Sequence, residues 1–328
     1  MNELINKTDN LPEATSLAAV PNLGFDCASF FSMHKIPFTH TPKKKHIFQH
    51  ERFLHVKNTL LFGIASGEKL LKITGETGVG KTLLVNDVLS SIDHEHYPIR
   101  ILNPRISPKD LLCQIIDEFG RPYPVDPTIE QLMRMLRFIL HEHYTKNDAH
   151  ILVWIDDAHL LSTNTLLIID KISSWATPSR ALLQFIISGS DELNTKLDNP
   201  LLKSVKNNIR FSDTLTGINK TEISDYVTSC VQSEERHDQP QFMPRALDLL
   251  FRQTNGNPSA INNVAYKALL AAYGKGHRTI TRKLIQTAFL ESYTPESTAR
   301  NNKKWIIAFS AWMCVNVSLA IAYFGGFL

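Results

Sequence analysis

One octapeptide constrains the fold of this chain more than any other stretch. It reads GETGVGKT, spans Gly75 to Thr82, and matches the pattern G-x-x-x-x-G-K-[ST]. It follows the apolar run LLKIT and precedes TLLVNDVLSSI, whose apolar residues recur with a helical period. A strand, a glycine loop and a helix in this order bring backbone N–H groups and a helix N-terminus around a phosphate. The octapeptide therefore predicts a phosphate-binding loop; the alternative is a glycine-rich turn without chemistry.

Each residue type in the octapeptide has a physical role in that prediction. The glycines let the backbone wrap the phosphates, Lys81 would reach the terminal phosphates of a nucleotide, and the Thr82 hydroxyl would bind Mg²⁺. We therefore predict ATP and Mg²⁺ as cofactors. Lys81 is also a candidate catalytic residue. The predicted cofactor-binding residues of the loop are Gly75, Glu76, Thr77, Gly78, Val79, Gly80, Lys81 and Thr82.

A second motif, HILVWIDDAHLL, places two carboxylates directly after a predicted buried strand. Asp156 is expected to bind Mg²⁺ together with Thr82, and Asp157 is the candidate catalytic residue that polarises water. The alternative for either aspartate is an N-cap of the following helix. The next predicted strand ends in Ser188-Gly189-Ser190. Ser190 is a candidate sensor of the terminal phosphate, or a turn residue.

The chain from residue 46 to residue 212 alternates short apolar runs with amphipathic stretches, which is typical of βαβ units around a parallel sheet. Strands are predicted in KLLKIT, PIRILN, HILVWID, LQFIIS and NIRFS. The strand signal then ends, and three or four helices are predicted. The expected organisation is a loose tail (1–26), an ATP-binding α/β domain with an N-terminal aromatic motif (27–212), a helical domain (213–290), a polar linker (291–304) and a transmembrane helix (305–328).

The segment Trp305–Leu328 carries no Asp, Glu, Lys, Arg or His. It is longer than the roughly 20 apolar residues that cross a bilayer core, and it has aromatic residues near both ends. Arg300, Lys303 and Lys304 precede it and are expected to stay cytoplasmic. The sequence therefore predicts a single-pass membrane protein whose C-terminus lies outside the cytoplasm. The alternative is an apolar helix that packs in an oligomer.

Charge and cysteine content disfavour other classes of protein. The formal net charge is +3, from 35 basic and 32 acidic residues, which makes nucleic acid an unlikely partner. The four cysteines are far apart and form no CxxC pair, so neither a zinc site nor a disulfide framework is expected.

Several blocks, in order between about residue 30 and residue 290, resemble the ExeA/GspA-like AAA+ ATPases, a family with MshM-like members in MSHA pilus biogenesis. The blocks are FFSMHKIPFTHTP, ITGETGVGKTLLVNDVL, LVWIDDAHLLS, LQFIISGSDELNTKLDNPLLKSVKNNIRF and TNGNPSAINNVAYKALLAAY. The resemblance implies a P-loop NTPase (AAA+) α/β fold with a C-terminal helical lid and ATP bound between subunits of a homo-oligomer.

The resemblance also implies a cellular role. The family's members associate with the bacterial inner membrane and help to assemble type II secretion systems or type IV pili. A membrane-anchored cytoplasmic ATPase with a periplasmic C-terminus, acting with envelope secretion or pilus assembly proteins, is therefore expected. Two alternatives stay open: a nucleotide-gated, non-hydrolysing membrane scaffold, and a DNA-linked helper ATPase of the TniB kind.

Several positions depart from the family pattern, and all bear on hydrolysis. Asn208 and Ser259 stand where the family has arginines, Asp157 where it has glutamate, and Ser190 where it has glutamine. The sequence therefore predicts good ATP binding with slow hydrolysis. A nearby cation would offset the loss of the first arginine: Arg210 is the candidate catalytic arginine, and Lys203 and Lys206 are the other candidates.

Overall fold

The computed structural model describes residues 23–33, 37–38, 47–92, 96–101, 103–147, 150–176, 181–231 and 239–293. The predicted membrane segment, Trp305–Leu328, lies outside these residues. Within the described residues, no helix is both long and apolar enough to cross a membrane.

A five-stranded parallel sheet forms the centre of the α/β part of the chain. Its strands are β1 (Leu70–Thr74), β2 (His96–Ile101), β3 (His150–Ile155), β4 (Leu183–Gly189) and β5 (Ile209–Thr214). They lie in the order β2-β3-β4-β1-β5. The prediction of an α/β fold with a parallel sheet is therefore confirmed. Because β4 lies between β1 and β3, the residues that end β4 are next to both predicted motifs.

Helices cover both faces of the sheet, as buried parallel strands require. The side chains of β3 alternate: Ile151, Val153 and Ile155 pack on one face, and Leu152 and Trp154 pack on the other. The first face carries α4 (Pro108–Asp117), α5 (Ile129–Asn147), α6 (Thr163–Ser173), α7 (Glu192–Leu197) and α8 (Lys203–Asn208), and the second carries α2 (Glu51–Ala65) and α3 (Lys81–Leu89).

The helical domain contains four of the described helices and a short parallel strand pair. Its helices are α9 (Ile223–Cys230), α10 (Pro244–Thr254), α11 (Pro258–Tyr273) and α12 (Arg282–Tyr293). Strands β6 (Gln241–Phe242) and β7 (Thr279–Ile280) pair with each other. These strands are not predicted from the sequence, because two residues are too few to show an alternating pattern.

The described part of the N-terminal aromatic motif packs with the helical domain, not with the sheet. Phe31, which follows α1 (Leu23–Phe30), is fully buried in the helical domain's core. The ring of Phe30 meets that of Tyr273 edge-on, with centroids 5.4 Å apart, and the Arg278 guanidinium lies 5.1 Å from the Phe30 centroid. The helical domain is therefore built from two separate parts of the chain.

The first turn of α2 contacts both β5 and the segment that leads from β5 into the helical domain. The carboxylate of Glu222 accepts hydrogen bonds from the backbone N–H of Glu51, at 2.9 Å, and of Asn219, at 3.0 Å. Arg52 pairs with Asp213 and donates to the carbonyl of the next residue at 2.8 Å. The end of β5 is thus held against the first turn of α2.

Candidate functional site

The first six residues of the octapeptide, 75–80, form a loop between β1 and α3, and its last two residues begin α3, as the motif predicts. Gly75 and Gly78 have φ values of 153° and 87°, a region that side chains disfavour. A Cβ on Gly75 would lie 2.3 Å from the Leu215 carbonyl oxygen. Val79 anchors the loop in the core under α2 and α3, whereas Glu76 and Thr77 are exposed. The glycines therefore permit the backbone path of the loop, and Gly75 permits its close contact with the backbone of Leu215.

Lys81 is buried within the curve of the loop, at the first position of α3. Only 7% of the residue is exposed, and its Nζ donates to the carbonyl oxygens of Gly75, at 2.8 Å, and Glu76, at 2.9 Å. Burial lowers the pKa of the Lys81 ammonium, while the carboxylates of Asp156 and Asp157 act in the opposite direction. Two carbonyl contacts and nearby carboxylates favour the charged form, which is the form that binds a phosphate.

The hydroxyl of Thr82 and the carboxylate of Asp156 meet across the ends of α3 and β3. Thr82 Oγ1 donates to Asp156 Oδ2 at 2.5 Å. The other oxygen, Oδ1, accepts from Ser188 Oγ at 2.7 Å and from the Asp157 backbone N–H at 3.0 Å. Ser188 Oγ accepts in turn from Trp154 Nε1 at 2.9 Å. The carboxylate is thus held from one side, and the Thr82 hydroxyl is exposed on the other.

Asp157 and Ser190 share His159 as a neighbour. Asp157 adopts a left-handed conformation (φ 48°) and its side chain is 59% exposed; its Oδ1 lies 4.0 Å from His159 Nδ1. The Ser190 backbone N–H faces the same Nδ1 at 3.4 Å. Ser190 Oγ is buried, with no hydrogen-bond partner among the described residues. The structure therefore brings the candidate water-polarising and sensing residues together around a histidine.

The helical domain reaches this site through the first residues of α11. Asn257 Nδ2 donates to the Thr77 carbonyl oxygen at 2.9 Å, and the Ser259 backbone N–H donates to the Gly78 carbonyl oxygen at 3.2 Å. A Cβ on Gly78 would lie 2.7 Å from the Ser259 Cβ. The loop that would bind phosphates is therefore in direct contact with the helical domain.

The candidate arginine and the residue before β5 lie at the opposite end of the sheet. Asn208 Nδ2 donates to Asp170 Oδ1 at 2.6 Å, and Arg210, whose side chain is 75% exposed, lies 3.7 Å from Glu68 Oε1. Ile209 pairs with Leu70, which begins β1, whereas the phosphate loop follows the end of β1. At about 3.3 Å per residue, β1 separates Arg210 from the phosphate loop by roughly 15 Å. Arg210 is therefore too far away to contact the phosphate loop of its own chain.

Three residues of the site are not predicted from the sequence: Ser188, His159 and Asn257. Ser188 belongs to the predicted strand end, but its partnership with Asp156 depends on strand order. Asn257 has the sequence signal of a helix N-cap before proline, and it does cap α11 by accepting from the Ser259 and Ala260 backbone N–H groups. Its contact with the phosphate loop leaves no local signal.

Known proteins share both the sequence and the fold. Residues 64–197 match the family model described as "AAA domain". The chain is 30% identical over 271 residues to General secretion pathway protein A of Aeromonas hydrophila, in an alignment that covers 80% of this chain and 48% of that protein. The chain thus spans about half the length of this relative.

Solved structures support the same fold at much lower identity. The Cdc6p structure from Pyrobaculum aerophilum has a TM-score of 0.56 and 16% identity, covering 80% of this chain and 70% of that one. Drosophila ORC bound to DNA has a TM-score of 0.57 and 16% identity, covering 92% and 73%. The family model and the sequence relative together support an ExeA/GspA-like AAA ATPase, and the solved structures share its fold.

Proposed function

We propose that this protein binds ATP with Mg²⁺ at the phosphate loop, hydrolyses it slowly, and serves the assembly of a secretion or type IV pilus machine from the inner membrane. The observation that carries the first part is the convergence of Lys81, Thr82 and Asp156 at the carboxyl ends of β1 and β3. A hydroxyl and a carboxylate are the oxygen donors that Mg²⁺ prefers, and these two lie 2.5 Å apart. The residues present therefore fit the cofactor.

Each side chain has a separate task in this proposal. Lys81 binds the terminal phosphates, Thr82 and Asp156 hold the ion, and Ser188 keeps Asp156 in place. Bound Mg²⁺ supplies positive charge that offsets charge on the phosphate oxygens in the transition state. Asp157 orients the attacking water, with His159 beside it.

The contacts of the residues that differ from the family pattern support slow hydrolysis. The Asn208 amide is hydrogen-bonded to Asp170 and carries no charge. Ser259 offers the loop a backbone N–H where the family has an arginine. An arginine acting on the terminal phosphate accelerates hydrolysis by orders of magnitude, so a site without one is slow unless Arg210 of a neighbouring subunit takes its place. The same observations favour the second candidate, a scaffold whose conformation depends on nucleotide binding alone.

The test compares ATP binding and steady-state hydrolysis of the full chain with those of Lys81→Ala and Asn208→Arg. Lys171→Ala, an exposed lysine on α6, is the matched control. We expect Lys81→Ala to weaken ATP binding at least tenfold and Asn208→Arg to raise the turnover rate. Brisk turnover by the native chain that Arg210→Ala abolishes would replace slow hydrolysis with a motor activity. Equal ATP binding by the native chain and Lys81→Ala would refute the site.

The membrane part of the proposal rests on the sequence of Trp305–Leu328, and the secretion part on the relationship to General secretion pathway protein A. We propose a single crossing of the bacterial inner membrane, with the ATPase domain cytoplasmic and the C-terminus periplasmic. Deleting 305–328 should move the protein from the membrane fraction to the supernatant after carbonate washing. Replacing the segment with an equally long leucine-alanine segment should restore membrane retention. Retention of the deleted form would contradict the anchor.

A further inference from the structure

The contact between α11 and the phosphate loop involves the two peptide groups at the loop's apex. The Asn257 carboxamide donates to the Thr77 carbonyl oxygen, and the Ser259 backbone N–H donates to that of Gly78. The glycine at position 78 allows this approach, since any Cβ there would collide with Ser259. The helical domain therefore holds the loop by its carbonyl groups.

These two carbonyl groups determine where the neighbouring N–H groups point. A trans peptide group is planar, and its C=O and N–H bonds point in opposite directions. Fixing the carbonyls of Thr77 and Gly78 therefore fixes the N–H directions of Gly78 and Val79, and the Val79 N–H is further held by the Glu76 carbonyl oxygen at 3.4 Å. In a phosphate loop, such N–H groups bind the phosphate oxygens. The helical domain thus constrains peptide groups that the proposed function assigns to nucleotide binding.

We propose that Asn257 is a positioning residue that preorganises the phosphate loop, so that nucleotide binding and docking of the helical domain strengthen each other. This inference rests on the proposed nucleotide-binding function. One carboxamide carries both sides of the coupling: its Nδ2 holds the loop, and its Oδ1 accepts from the Ser259 N–H at 3.1 Å and the Ala260 N–H at 3.4 Å. Coupling between two binding equilibria is reciprocal, so each event favours the other by the same factor.

The test separates the contact with the loop from the capping of α11. Asn257→Asp keeps an N-cap of equal quality but loses the Nδ2 donor. Asn257→Ser also keeps a capping oxygen, adds no charge, and is too short to bridge the two elements. Asn263→Asp makes the same charge change at an exposed position of the same helix, as the control. ADP is the probe, since hydrolysis then plays no part.

Two measurements are made on the full chain: the Kd for ADP, and the hydrogen exchange of the Ser259 amide with and without ADP. We expect both Asn257 variants to bind ADP roughly three- to tenfold more weakly, the range of one hydrogen bond. The capping oxygen still accepts from the Ser259 N–H in both variants, so faster exchange of this amide without ADP reports the loss of its second bond, to the Gly78 carbonyl. Both variants should show this faster exchange and lose the extra protection that ADP gives the native chain. The control should match the native chain.

Three outcomes would overturn the proposal. Weaker ADP binding by Asn257→Asp alone would show charge repulsion in place of positioning. Native affinity in both variants would show that the contact does not act on the loop. Unchanged exchange of the Ser259 amide without ADP in both variants would show that Asn257 does not hold the domains together. Failure of the native chain to bind ADP would instead refute the proposed function, and the exchange without ADP would still decide the contact.

Discussion

Replacing Ser188 by alanine tests the hydrogen-bond network that holds Asp156. Ser188 is fully buried, and its hydroxyl joins the indole N–H of Trp154 to the Asp156 carboxylate. Alanine leaves the indole N–H, whose residue is 1% exposed, without this partner. A buried unpaired donor costs about 1–3 kcal/mol, and a hydrogen bond to a charged group contributes about 1.5–3 kcal/mol. Because water can reach the partly exposed Asp156, we expect a total loss of roughly 2–4 kcal/mol.

Denaturation in guanidinium chloride measures this loss as a lower midpoint at an unchanged slope. Ser173→Ala is the matched control, because that serine is equally buried but, among the described residues, its hydroxyl bonds only to the Asp170 carbonyl of its own helix. Adding Trp154→Phe removes the indole N–H, so in the double variant no donor is stranded. The two substitutions should therefore couple by about 1–2 kcal/mol. Strictly additive effects, or a loss no larger than that of Ser173→Ala, would refute this account.

Three further predictions concern stability. Burial lowers the pKa of His50, so the unfolded state binds the proton more readily than the folded state. The contribution of neutral His50 to stability is therefore fully present above the ordinary pKa of about 6.5 and is lost as the pH falls below it. His50→Gln should make the urea midpoint less dependent on pH in this acidic range. Gly75→Ala should lower the thermal midpoint more than Gly120→Ala, because both backbones have positive φ but only the first added Cβ meets a carbonyl. Phe31→Ala should lower the free energy of unfolding, measured by urea denaturation, by about 3–5 kcal/mol. Phe62→Ala should lower it far less, because Phe62 is 64% exposed.

Local patterns were enough to predict the sheet and the phosphate loop, because each strand and the octapeptide carry their signal within a few residues. The placement of Ser188 beside Asp156 was not predictable in this way, since it depends on β4 lying next to β3. Asn257 shows the same limit: its sequence signal is that of a cap, while its second partner, Thr77, is set by the docking of two domains. The distance of Arg210 from the loop likewise follows from the direction of β5.

The burial of Phe31 in the helical domain determines the order in which the chain can fold. Phe31 is synthesised early, but the helices that share its core cluster, α9 to α12, follow the whole α/β domain. Contacts between distant parts of a chain form late, because closing the long loop costs entropy before the contact stabilises anything. We therefore expect the sheet to form first, while the aromatic motif stays exposed, and the helical core to close last. A fragment that begins after β5 would lack Phe31 and the residues of α1 that complete the core of the helical domain.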